Sequence, residues 1–587
     1  MHVLATAGHV DHGKSTLVRA LTGMEPDRLA EERRRGLTID LGFAWTRLSG
    51  GEQVAFVDVP GHERFVSTML AGVGPVPAVM LVVAADGGWS AQTEEHVAVL
   101  DALGVDAGLV VVTRADLADP APVRAEVADW LAETSLAGLS SVSCSAVTGA
   151  GLSDLRQALA GLVTGLPAPD VDAPTRLWID RAFTIRGAGT VVTGTLAAGR
   201  LRTGDELLVA RTGAVVGIRG LQSLNEQVPT VSAVARVAVN LRGISAADLG
   251  RGDALLTPGR WALTLGADVQ LISAPSKRLP VALMMHVGAA AHPVRARRLG
   301  DSGLRLSFST PIALSYGDRV LLRDPGSRSI AGADVVDPLP APLPRRRGAA
   351  VRRGAELTNM MLVSNPDAEL RRRGMMRAAA FATLGLGMPN TEPIGDWLLD
   401  PGTRVALTDR LVRLAVEHRR GNPLDAGLAA GAAARALGLP DPRLLPALLR
   451  PPWHLVAGRL TSAQGPGELL PHDVKERITR IRDRLRSNPF DAPNAQDLAE
   501  LDLTPTKLAA AVRAGLLIAI GDGVVLAPEA PEVALARLRS LEQPFTTSQA
   551  RIALETSRRV AVPLLQWLDA AGLTQRLADD RRQLRPS

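Results

Sequence analysis

The sequence has a single cysteine, Cys144, among 587 residues, so an internal disulfide is excluded. It contains no apolar run of transmembrane length, and its N-terminus lacks the charged and apolar regions of a secretory signal. A disulfide-stabilised secreted scaffold and a helical membrane protein are therefore both disfavoured. Together these absences predict a cytoplasmic protein without a membrane partner.

Hydrophobic residues make up 46% of the chain, which is enough for real cores and argues against global disorder. A chain of this length predicts roughly three to five domains. The net charge of +6 is uneven, because residues 345–587 hold 35 Lys and Arg against 26 Asp and Glu, whereas residues 1–344 hold 31 against 34. A basic C-terminal part favours a nucleic-acid partner, although a solvated arginine-rich surface explains the same charge.

The hydrophobic pattern changes twice along the chain. Up to about residue 165, apolar strands such as "VAFVDV" and "AVMLVVAA" alternate with amphipathic segments, which predicts a doubly wound α/β domain. After the linker "LPAPDVDAP", short β runs with glycine turns predict two β-barrels. After "DPLPAPLPRRRG" the chain is mainly helical, and near its end two helices twice precede a short apolar hairpin, as in a winged helix. The predicted domains of this multidomain protein are 1–168 (α/β), 174–258 and 259–338 (β-barrels), 349–475 (two winged-helix-like modules), 476–534 and 535–587 (one winged helix each).

Residues 8–15, "GHVDHGKS", follow the apolar run "HVLATA" and fit the pattern G-x-x-x-x-G-K-[ST]. Backbone N–H groups of such a loop bind phosphate oxygens, and the N-terminus of the following helix adds its positive dipole end. Lys14 is predicted to reach the β- and γ-phosphates, and Ser15 to bind Mg²⁺. The predicted nucleotide-binding residues of this loop are Gly8, His9, Val10, Asp11, His12, Gly13, Lys14, Ser15 and Thr16.

Two further segments carry the residues of a γ-phosphate switch. In "DVPGH" (58–62), Asp58 is predicted to hold Mg²⁺ through water, Gly61 to sense the γ-phosphate by its N–H, and His62 to orient the attacking water. In "RGLTID" (35–40), Thr38 is predicted to close on Mg²⁺ when a γ-phosphate is present. The predicted catalytic residue is therefore His62, and the predicted metal ligands are Ser15, Thr38 and Asp58.

The residue that recognises guanine is predicted to lie in "TRAD" (113–116), which follows the strand "AGLVVV". The carboxylate of Asp116 can accept hydrogen bonds from guanine N1 and N2, which adenine does not offer. Ser145 and Ala146, in "SCSAVTG" after another strand, are predicted to support the base through backbone contacts. The expected nucleotides are GTP and GDP with Mg²⁺, and the expected activity is hydrolysis of GTP.

The motifs "GHVDHGKS", "RGLTID", "DVPGHERF" and "TRAD" resemble those of the translational GTPases related to elongation factor Tu, and the likeness continues in "IDRAFTIRGAGTVVTGTLAAG". Within that superfamily the chain resembles the SelB family, the selenocysteine-specific elongation factors of bacteria. "TRAD" resembles SelB, whereas elongation factor Tu has an Asn-Lys-x-Asp motif. The Asp-Arg pair in "IDRAFT" and the helical extension with winged-helix character point the same way. Thr113 and Arg114 stand where most GTPases have Asn and Lys, and both are predicted to belong to the nucleotide site.

The resemblance implies GTP-dependent delivery of selenocysteyl-tRNA to the ribosome at UGA codons. Arg181 and Arg236 are the implied cations for the ionised selenol, and Asp180 orients a guanidinium or the aminoacyl amine. A surface ion pair on a strand is the simpler explanation of Asp180 and Arg181. The resemblance also implies that the protein acts as a monomer and that the ribosome stimulates hydrolysis.

The last winged helix is implied to bind an mRNA hairpin, the selenocysteine insertion element. Its arginines lie near the start of a helix or flank the wing, where contacts to RNA phosphates are favourable. The candidate mRNA contacts are Arg551, Arg558, Arg559, Arg576, Arg581 and Arg582.

Two other functions stay open from the sequence. The chain could be another Tu-like tRNA-carrier GTPase, or a sulfate-activation GTPase, which should lack winged helices and the Asp-Arg pair. It could also be a DNA-binding regulator with a nucleotide switch, because winged helices more often bind DNA. Binding of hairpin RNA against duplex DNA by residues 480–587 distinguishes the last alternative.

Overall fold

The computed structural model describes residues 1–26, 32, 38–62, 65–74, 76–272, 279–327, 329–344, 348–362, 365–462 and 470–585. The chain divides into two compact units, Met1–Asn390 and Thr391–Ser587. Part of the first switch segment, residues 35–37 of "RGLTID", lies outside the described residues, whereas Thr38 is described.

The first domain is built on a six-stranded sheet in the order β2-β3-β1-β4-β5-β6. Its strands are β1 (His2–Ala7), β2 (Gly42–Arg47), β3 (Gln53–Asp58), β4 (Ala78–Ala84), β5 (Gly108–Thr113) and β6 (Ser141–Ser143). All neighbours are parallel except β2 and β3, which are antiparallel. The apolar runs predicted as buried parallel strands are confirmed.

Helices cover both faces of this sheet, as the alternating pattern predicts. They are α1 (Lys14–Thr22), α2 (Val66–Val73), α3 (Ala91–Ala102), α4 (Ala121–Leu131) and α5 (Leu152–Gly165). Successive residues of β4 enter different cores: Leu81 packs with α3 and α4, and Met80 packs with α1 and α5. The carboxyl ends of the parallel strands therefore meet at one edge, where a doubly wound fold binds its ligand.

The second domain is an antiparallel sheet in the order β7-β16-β11-β12-β15-β9-β8, with β13 paired to β12 and β10 paired to β14. Two residues between β7 and β8 close the sheet: Ile179 N donates to the carbonyl of Asp253, and Asp180 N donates to the carbonyl of Thr193 in β9. The sheet therefore curls onto itself. The strands are β7 (Arg176–Trp178), β8 (Arg181–Ile185), β9 (Gly189–Leu196), β10 (Arg200–Arg202), β11 (Glu206–Val209), β12 (Val215–Ser223), β13 (Glu226–Val228), β14 (Thr230–Ser232), β15 (Ala235–Arg242) and β16 (Ala254–Leu256).

The third domain is a closed barrel in the order β17-β20-β19-β18-β21-β22. Its strands are β17 (Ala262–Leu271), β18 (Ala282–Val287), β19 (Ala290–Leu299), β20 (Gly303–Leu314), β21 (Arg319–Arg323) and β22 (Ile330–Asp337). Closure leaves no free sheet edge, which removes a surface for unwanted pairing.

A buried ion network attaches the next two helices, α6 (Ala349–Leu362) and α7 (Pro366–Arg373), to the third domain. Asp268 and Asp337 are fully buried, and Arg353 of α6 binds both, at 2.8 and 2.6 Å. Arg372 and Arg373 of α7 bind Asp337 at 2.9 and 2.6 Å. These helices lie within the predicted 349–475 segment, yet they belong to the same compact unit as the barrel.

The remaining elements belong to the second unit, except for β23 and α8, which lie at the end of the first. They are β23 (Met375–Arg377), α8 (Ala378–Ala382), β24 (Trp397–Leu399), α9 (Pro401–Gly421), β25 (Leu428–Ala429), α10 (Ala430–Leu437), a 3₁₀ helix (Pro442–Leu448), β26 (Trp453–Val456), β27 (Arg459–Ser462), α11 (His472–Ser487), α12 (Ala495–Glu500), α13 (Pro505–Arg513), β28 (Ile518–Gly521), β29 (Val524–Leu526), α14 (Ala530–Leu538), α15 (Thr547–Ala553), α16 (Arg558–Ala570), β30 (Thr574–Arg576) and β31 (Arg582–Leu584).

The order helix, helix, hairpin is confirmed twice, as α12-α13-β28-β29 and as α15-α16-β30-β31. Capping boxes at Asn494 and Thr546 start the first helix of each set. Asp522 and Gly523 both have positive φ, so the predicted Gly-Asp-Gly turn joins β28 to β29. Helix α14 crosses the predicted 534/535 boundary, and one hydrophobic cluster extends from Leu470 to Leu568, so the last two modules share a core.

Candidate functional site

The loop between β1 and α1 has the backbone that phosphate binding requires. Gly8 has φ +128°, and a Cβ there would lie 2.1 Å from the carbonyl oxygen of Val82, so only glycine fits. Gly13 is left-handed and precedes Lys14, the first residue of α1, and no described side chain caps that helix. The first N–H groups of α1 are thereby available to an anion.

Three oxygen-bearing side chains converge at this loop. The hydroxyl of Ser15 donates to a carboxylate oxygen of Asp58 at 2.7 Å and lies 3.0 Å from the hydroxyl of Thr38. Burial raises the pKa of Asp58, while the charge of Lys14 and the hydrogen bonds from Ser15 and Thr6 oppose that rise. The set of two hydroxyls and one carboxylate fits Mg²⁺, which prefers oxygen ligands and keeps several waters.

The second switch segment lies directly against the loop. A Cβ on Gly61 would lie 2.5 Å from Lys14 Nζ and 2.5 Å from the backbone nitrogen of Val10. Lys14 Nζ itself donates to the carbonyls of Gly8 and His9, at 3.1 and 2.8 Å. His62 is the next residue after Gly61, and its ring contacts the edge of Phe65 with 6.0 Å between the ring centroids.

The end of β5 is tied to the phosphate loop. The hydroxyl of Thr113 donates to the carbonyl of His12 at 2.7 Å. The guanidinium of Arg114 binds Asp86 at 3.1 Å and donates to the carbonyl of Asp11. The hydroxyl of Thr113 thus links the end of β5 to the phosphate loop. Asp116 is exposed two residues beyond Arg114.

The segment after β6 completes this side of the site. Ser145 is buried, and its hydroxyl accepts a hydrogen bond from Thr148 N at 3.1 Å. Ala115 N donates to the carbonyl of Cys144 at 3.2 Å, which brings the two loops together. Ala146 lies at the half-buried position next to Ser145.

His96 of α3 also lies at the phosphate loop, and no sequence motif predicts it. The backbone N–H of Gly8 donates to His96 Nδ1 at 3.0 Å. Burial, with the nearby Lys14 and His9, lowers the pKa of His96 to about 3, so the ring stays neutral and can accept that bond. Burial, with His9, also lowers the pKa of His12 to about 4. Thr6 was missed too; it donates to Asp58 at 2.7 Å.

Arg181 and Arg236 line a cleft of about 150 Å³ between β2–β3 and the second domain. Arg236 binds Asp180 with both terminal nitrogens, and Asp180 also accepts from Thr193 at 2.7 Å. Arg181 binds Asp40 at 3.0 Å and donates to the carbonyl of Leu41. The partner of Asp180 is thus Arg236 and not its neighbour in sequence.

Phe43 forms one wall of this cleft. Its ring centroid lies 3.8 Å from Cζ of Arg236 and 5.2 Å from Cζ of Arg181. The Nε atom of Arg181 is buried and has no hydrogen-bond partner among the described residues. Two guanidinium groups, each paired with a carboxylate, therefore lie over one aromatic face.

The six C-terminal arginines differ in exposure and in their partners. Arg558 is exposed at the first turn of α16, and Arg551, Arg576 and Arg581 are at least partly exposed on α15 and the β30–β31 hairpin. Arg559 is exposed, but its guanidinium donates to the carbonyls of Ala492 and Pro493. The six are Arg551, Arg558, Arg559, Arg576, Arg581 and Arg582.

Arg582 is a correction to the predicted mRNA contacts. It is 5% exposed, and its guanidinium binds Asp569 at 2.8 Å and Thr547 at 3.1 Å. It therefore fastens the hairpin to α15 and α16 and has no exposed face for RNA.

Comparison with known proteins agrees with this geometry. The sequence profile of the elongation factor Tu GTP-binding domain matches residues 1–164, and that of the elongation factor SelB winged helix matches residues 536–583. A selenocysteine-specific elongation factor of Desulfomicrobium baculatum is 30% identical over 99% of this chain and 99% of its own length. The chain belongs to the family of selenocysteine-specific elongation factors. It is a translational GTPase.

Other members of the SelB family are similar as well. The selenocysteine-specific elongation factor of Haemophilus influenzae is 29% identical over 98% of both chains, and that of Escherichia coli is 39% identical over 57% of this chain and 55% of its own. The crystal structure of a bacterial selenocysteine-specific elongation factor covers both chains completely with a TM-score of 0.77 at 24% identity, which supports the fold. SelB from Methanococcus maripaludis, solved with the GTP analogue GppNHp, has a TM-score of 0.50 at 25% identity and covers 57% of this chain and 78% of its own.

Among the described residues, no helix is both long and apolar enough to cross a membrane.

Proposed function

We propose that this member of the SelB family binds selenocysteyl-tRNA in its GTP form, delivers it to the ribosome at UGA codons, and uses its last winged helix to bind an mRNA hairpin. The observation that carries the proposal is the cleft in which Arg181 and Arg236 lie over Phe43, beside Asp40 of the first switch segment. A site for a small anion thus lies next to the part of the chain that responds to the nucleotide.

In the nucleotide site, the N–H groups of the loop and Lys14 would hold the phosphates, and Ser15, Thr38 and Asp58 would hold Mg²⁺. When bound, Mg²⁺ neutralises charge on the β- and γ-phosphate oxygens. Thr38 closes the first switch segment onto this set, because its hydroxyl lies 3.0 Å from that of Ser15. Asp116 would read guanine, with Ser145 and Ala146 supporting the base.

His62 would orient the attacking water once the ribosome has positioned its side chain. It stands next to Gly61, which lies against Lys14 of the phosphate loop. We expect slow hydrolysis by the free monomer and fast hydrolysis on the ribosome. Replacement of His62 should then leave GTP binding intact while abolishing the stimulation.

Charge would distinguish selenocysteine from serine and cysteine. A selenol is largely ionised at neutral pH, whereas a serine hydroxyl is neutral and a cysteine thiol is mostly protonated. Arg181, Arg236 and Asp180 have side-chain exposures of 29%, 13% and 4%, so an anion among them is little screened by solvent. The unpartnered Nε–H of Arg181 is a donor that a selenolate can accept from.

The test is protection of the aminoacyl ester. The protein with GTP is mixed with selenocysteyl-tRNA, and separately with the seryl form of the same tRNA, and ester hydrolysis is followed over time. We expect strong protection of the selenocysteyl form alone, and loss of that selectivity in Arg236→Met. Arg219→Ala, which removes an arginine whose guanidinium donates to Ala188 outside the cleft, is the matched control. Equal protection of both esters would contradict the charged pocket, and protection of neither would contradict the carrier function.

A further inference from the structure

We propose that Arg251 is a positioning residue that couples the first switch segment, and the helix that follows the second, to the aminoacyl pocket. This inference rests on the proposed function and adds how the nucleotide controls the pocket. Arg251 lies on the turn before β16, in the second domain, and its sequence context contains no recognised motif.

The guanidinium of Arg251 reaches three different parts of the protein. Nε donates to the carbonyl of Asp180, in the aminoacyl pocket, at 3.1 Å. One terminal nitrogen binds the carboxylate of Asp40, in the first switch segment, and the other lies 3.4 Å from the hydroxyl of Thr68, on α2 after the second switch segment. One side chain therefore links the first switch segment, and the helix that follows the second, to the pocket.

Asp40 is shared between Arg251 and a pocket cation. Its other carboxylate oxygen binds Arg181 at 3.0 Å. Each oxygen of the Asp40 carboxylate therefore holds one of the two arginines.

The consequence for the pocket follows from this sharing. When Asp40 is held by Arg251, Arg181 is held beside Phe43 and next to Arg236. When the first switch segment moves, Asp40 leaves both arginines at once, and Arg181 loses its anchor. Arg251 therefore makes the geometry of the pocket depend on the state of the switch.

A coupling of this kind has a measurable form. If GTP raises the affinity for selenocysteyl-tRNA by some factor, selenocysteyl-tRNA raises the affinity for GTP by the same factor. A residue with a merely structural role changes affinity in both nucleotide states alike, whereas a coupling residue changes the ratio between them.

The experiment measures Kd for selenocysteyl-tRNA with a non-hydrolysable GTP analogue and with GDP, in the full-length wild-type protein, Arg251→Ala, Arg251→Gln and the control Arg219→Ala. We expect the ratio of the two Kd values to fall about tenfold or more in both Arg251 variants and to stay unchanged in the control. Affinity for each nucleotide in the absence of tRNA should stay within about twofold of wild type, because the side-chain hydrogen bonds of Arg251 among the described residues do not reach the phosphate loop.

Asp40→Asn provides an independent check, since it removes the charge that Arg251 and Arg181 share. Because Asp40→Asn also removes the partner of Arg181, we expect the double variant with Arg251→Ala to lower the ratio by less than the two single effects combined. An unchanged ratio in both Arg251 variants, or an equal loss of affinity with both nucleotides, would overturn the inference alone. If wild-type protein did not prefer the GTP form, the proposed function would fail and the inference with it.

Discussion

The hydroxyl of Thr113 donates a hydrogen bond to the backbone carbonyl of His12 at 2.7 Å, which joins the guanine-binding loop to the phosphate loop. The two residues are 101 positions apart in the chain. A threonine can make this bond with one donor, so the loss of the usual asparagine leaves the tether in place. Both halves of the nucleotide site are thereby held in register.

Thr113→Ala should weaken the binding of GTP and GDP alike. The substitution leaves the carbonyl of His12 without its partner in a buried setting, at a cost of about 1–3 kcal/mol, or roughly 5- to 150-fold in affinity. Thr113→Ser, which keeps the hydroxyl, should bind nearly as wild type. Titration with a fluorescent GDP analogue measures both, and wild-type affinity in the alanine variant would show that the tether is dispensable.

Asp116→Asn should exchange guanine for xanthine specificity. A carboxylate accepts from guanine N1 and N2, whereas an amide can donate to the O2 that xanthine has in place of the amino group. We expect GTP affinity to fall about 100-fold or more, because a site built around hydrogen bonds rejects a mismatched group strongly. Competition of GTP and XTP for the variant measures the exchange. A variant that still preferred GTP would show that Asp116 does not bind the guanine base.

The nucleotide motifs could be predicted because their chemistry is local. Gly8, Lys14 and Asp58 lie at fixed spacings beside strand ends, so their proposed roles can be derived from the sequence alone. The partners could not be predicted, because they depend on tertiary packing: Arg251 lies 211 residues from Asp40, and His96 lies 88 from Gly8. Arg582 was misassigned because a charged residue in a wing resembles a solvated one, although Asp569 neutralises it in the interior.

Asp337→Asn should destabilise the first compact unit by about 3–5 kcal/mol, since removing one member of a buried ion network leaves its partners uncompensated. Asp337 is fully buried and binds Arg353, Arg372 and Arg373. Glu356→Gln is the matched control, because Glu356 also binds Arg353, at 3.0 Å, but is 56% exposed. Its cost should stay below about 1 kcal/mol. Chemical unfolding of the full chain, followed by a probe in the barrel, measures both, and equal costs would contradict the role of burial.

His286 should make the first unit less stable in mild acid. Its side chain is 3% exposed, and burial, with the charge of Arg323 and the neighbouring His292, lowers its pKa from 6.5 to about 4. The unfolded chain therefore takes up a proton below pH 6.5 that the folded chain refuses. The contribution to stability is complete above pH 6.5 and is lost as the pH falls towards 4.

Between pH 6.5 and pH 5 this one histidine should cost about 2 kcal/mol of unfolding free energy. His286→Leu should lose less stability over that range than wild type, by the same amount. His472→Gln, whose side chain is 88% exposed, is the control and should follow wild type. Parallel pH profiles for His286→Leu and wild type would show that His286 titrates normally in the folded protein.

Arg558 and Arg582 should respond differently to replacement, although both were predicted to contact mRNA. Arg558 is exposed at the N-terminus of α16, where a phosphate also gains from the helix dipole. Arg558→Ala should weaken binding of an RNA hairpin taken from beside an in-frame UGA codon and reduce the slope of log affinity against log salt by about one. Arg582→Met should lower the melting temperature and leave the salt slope unchanged, because its guanidinium is already paired with Asp569. Fluorescence anisotropy at several salt concentrations measures the slope. A reduced slope in Arg582→Met would show that Arg582 contacts an RNA phosphate after all.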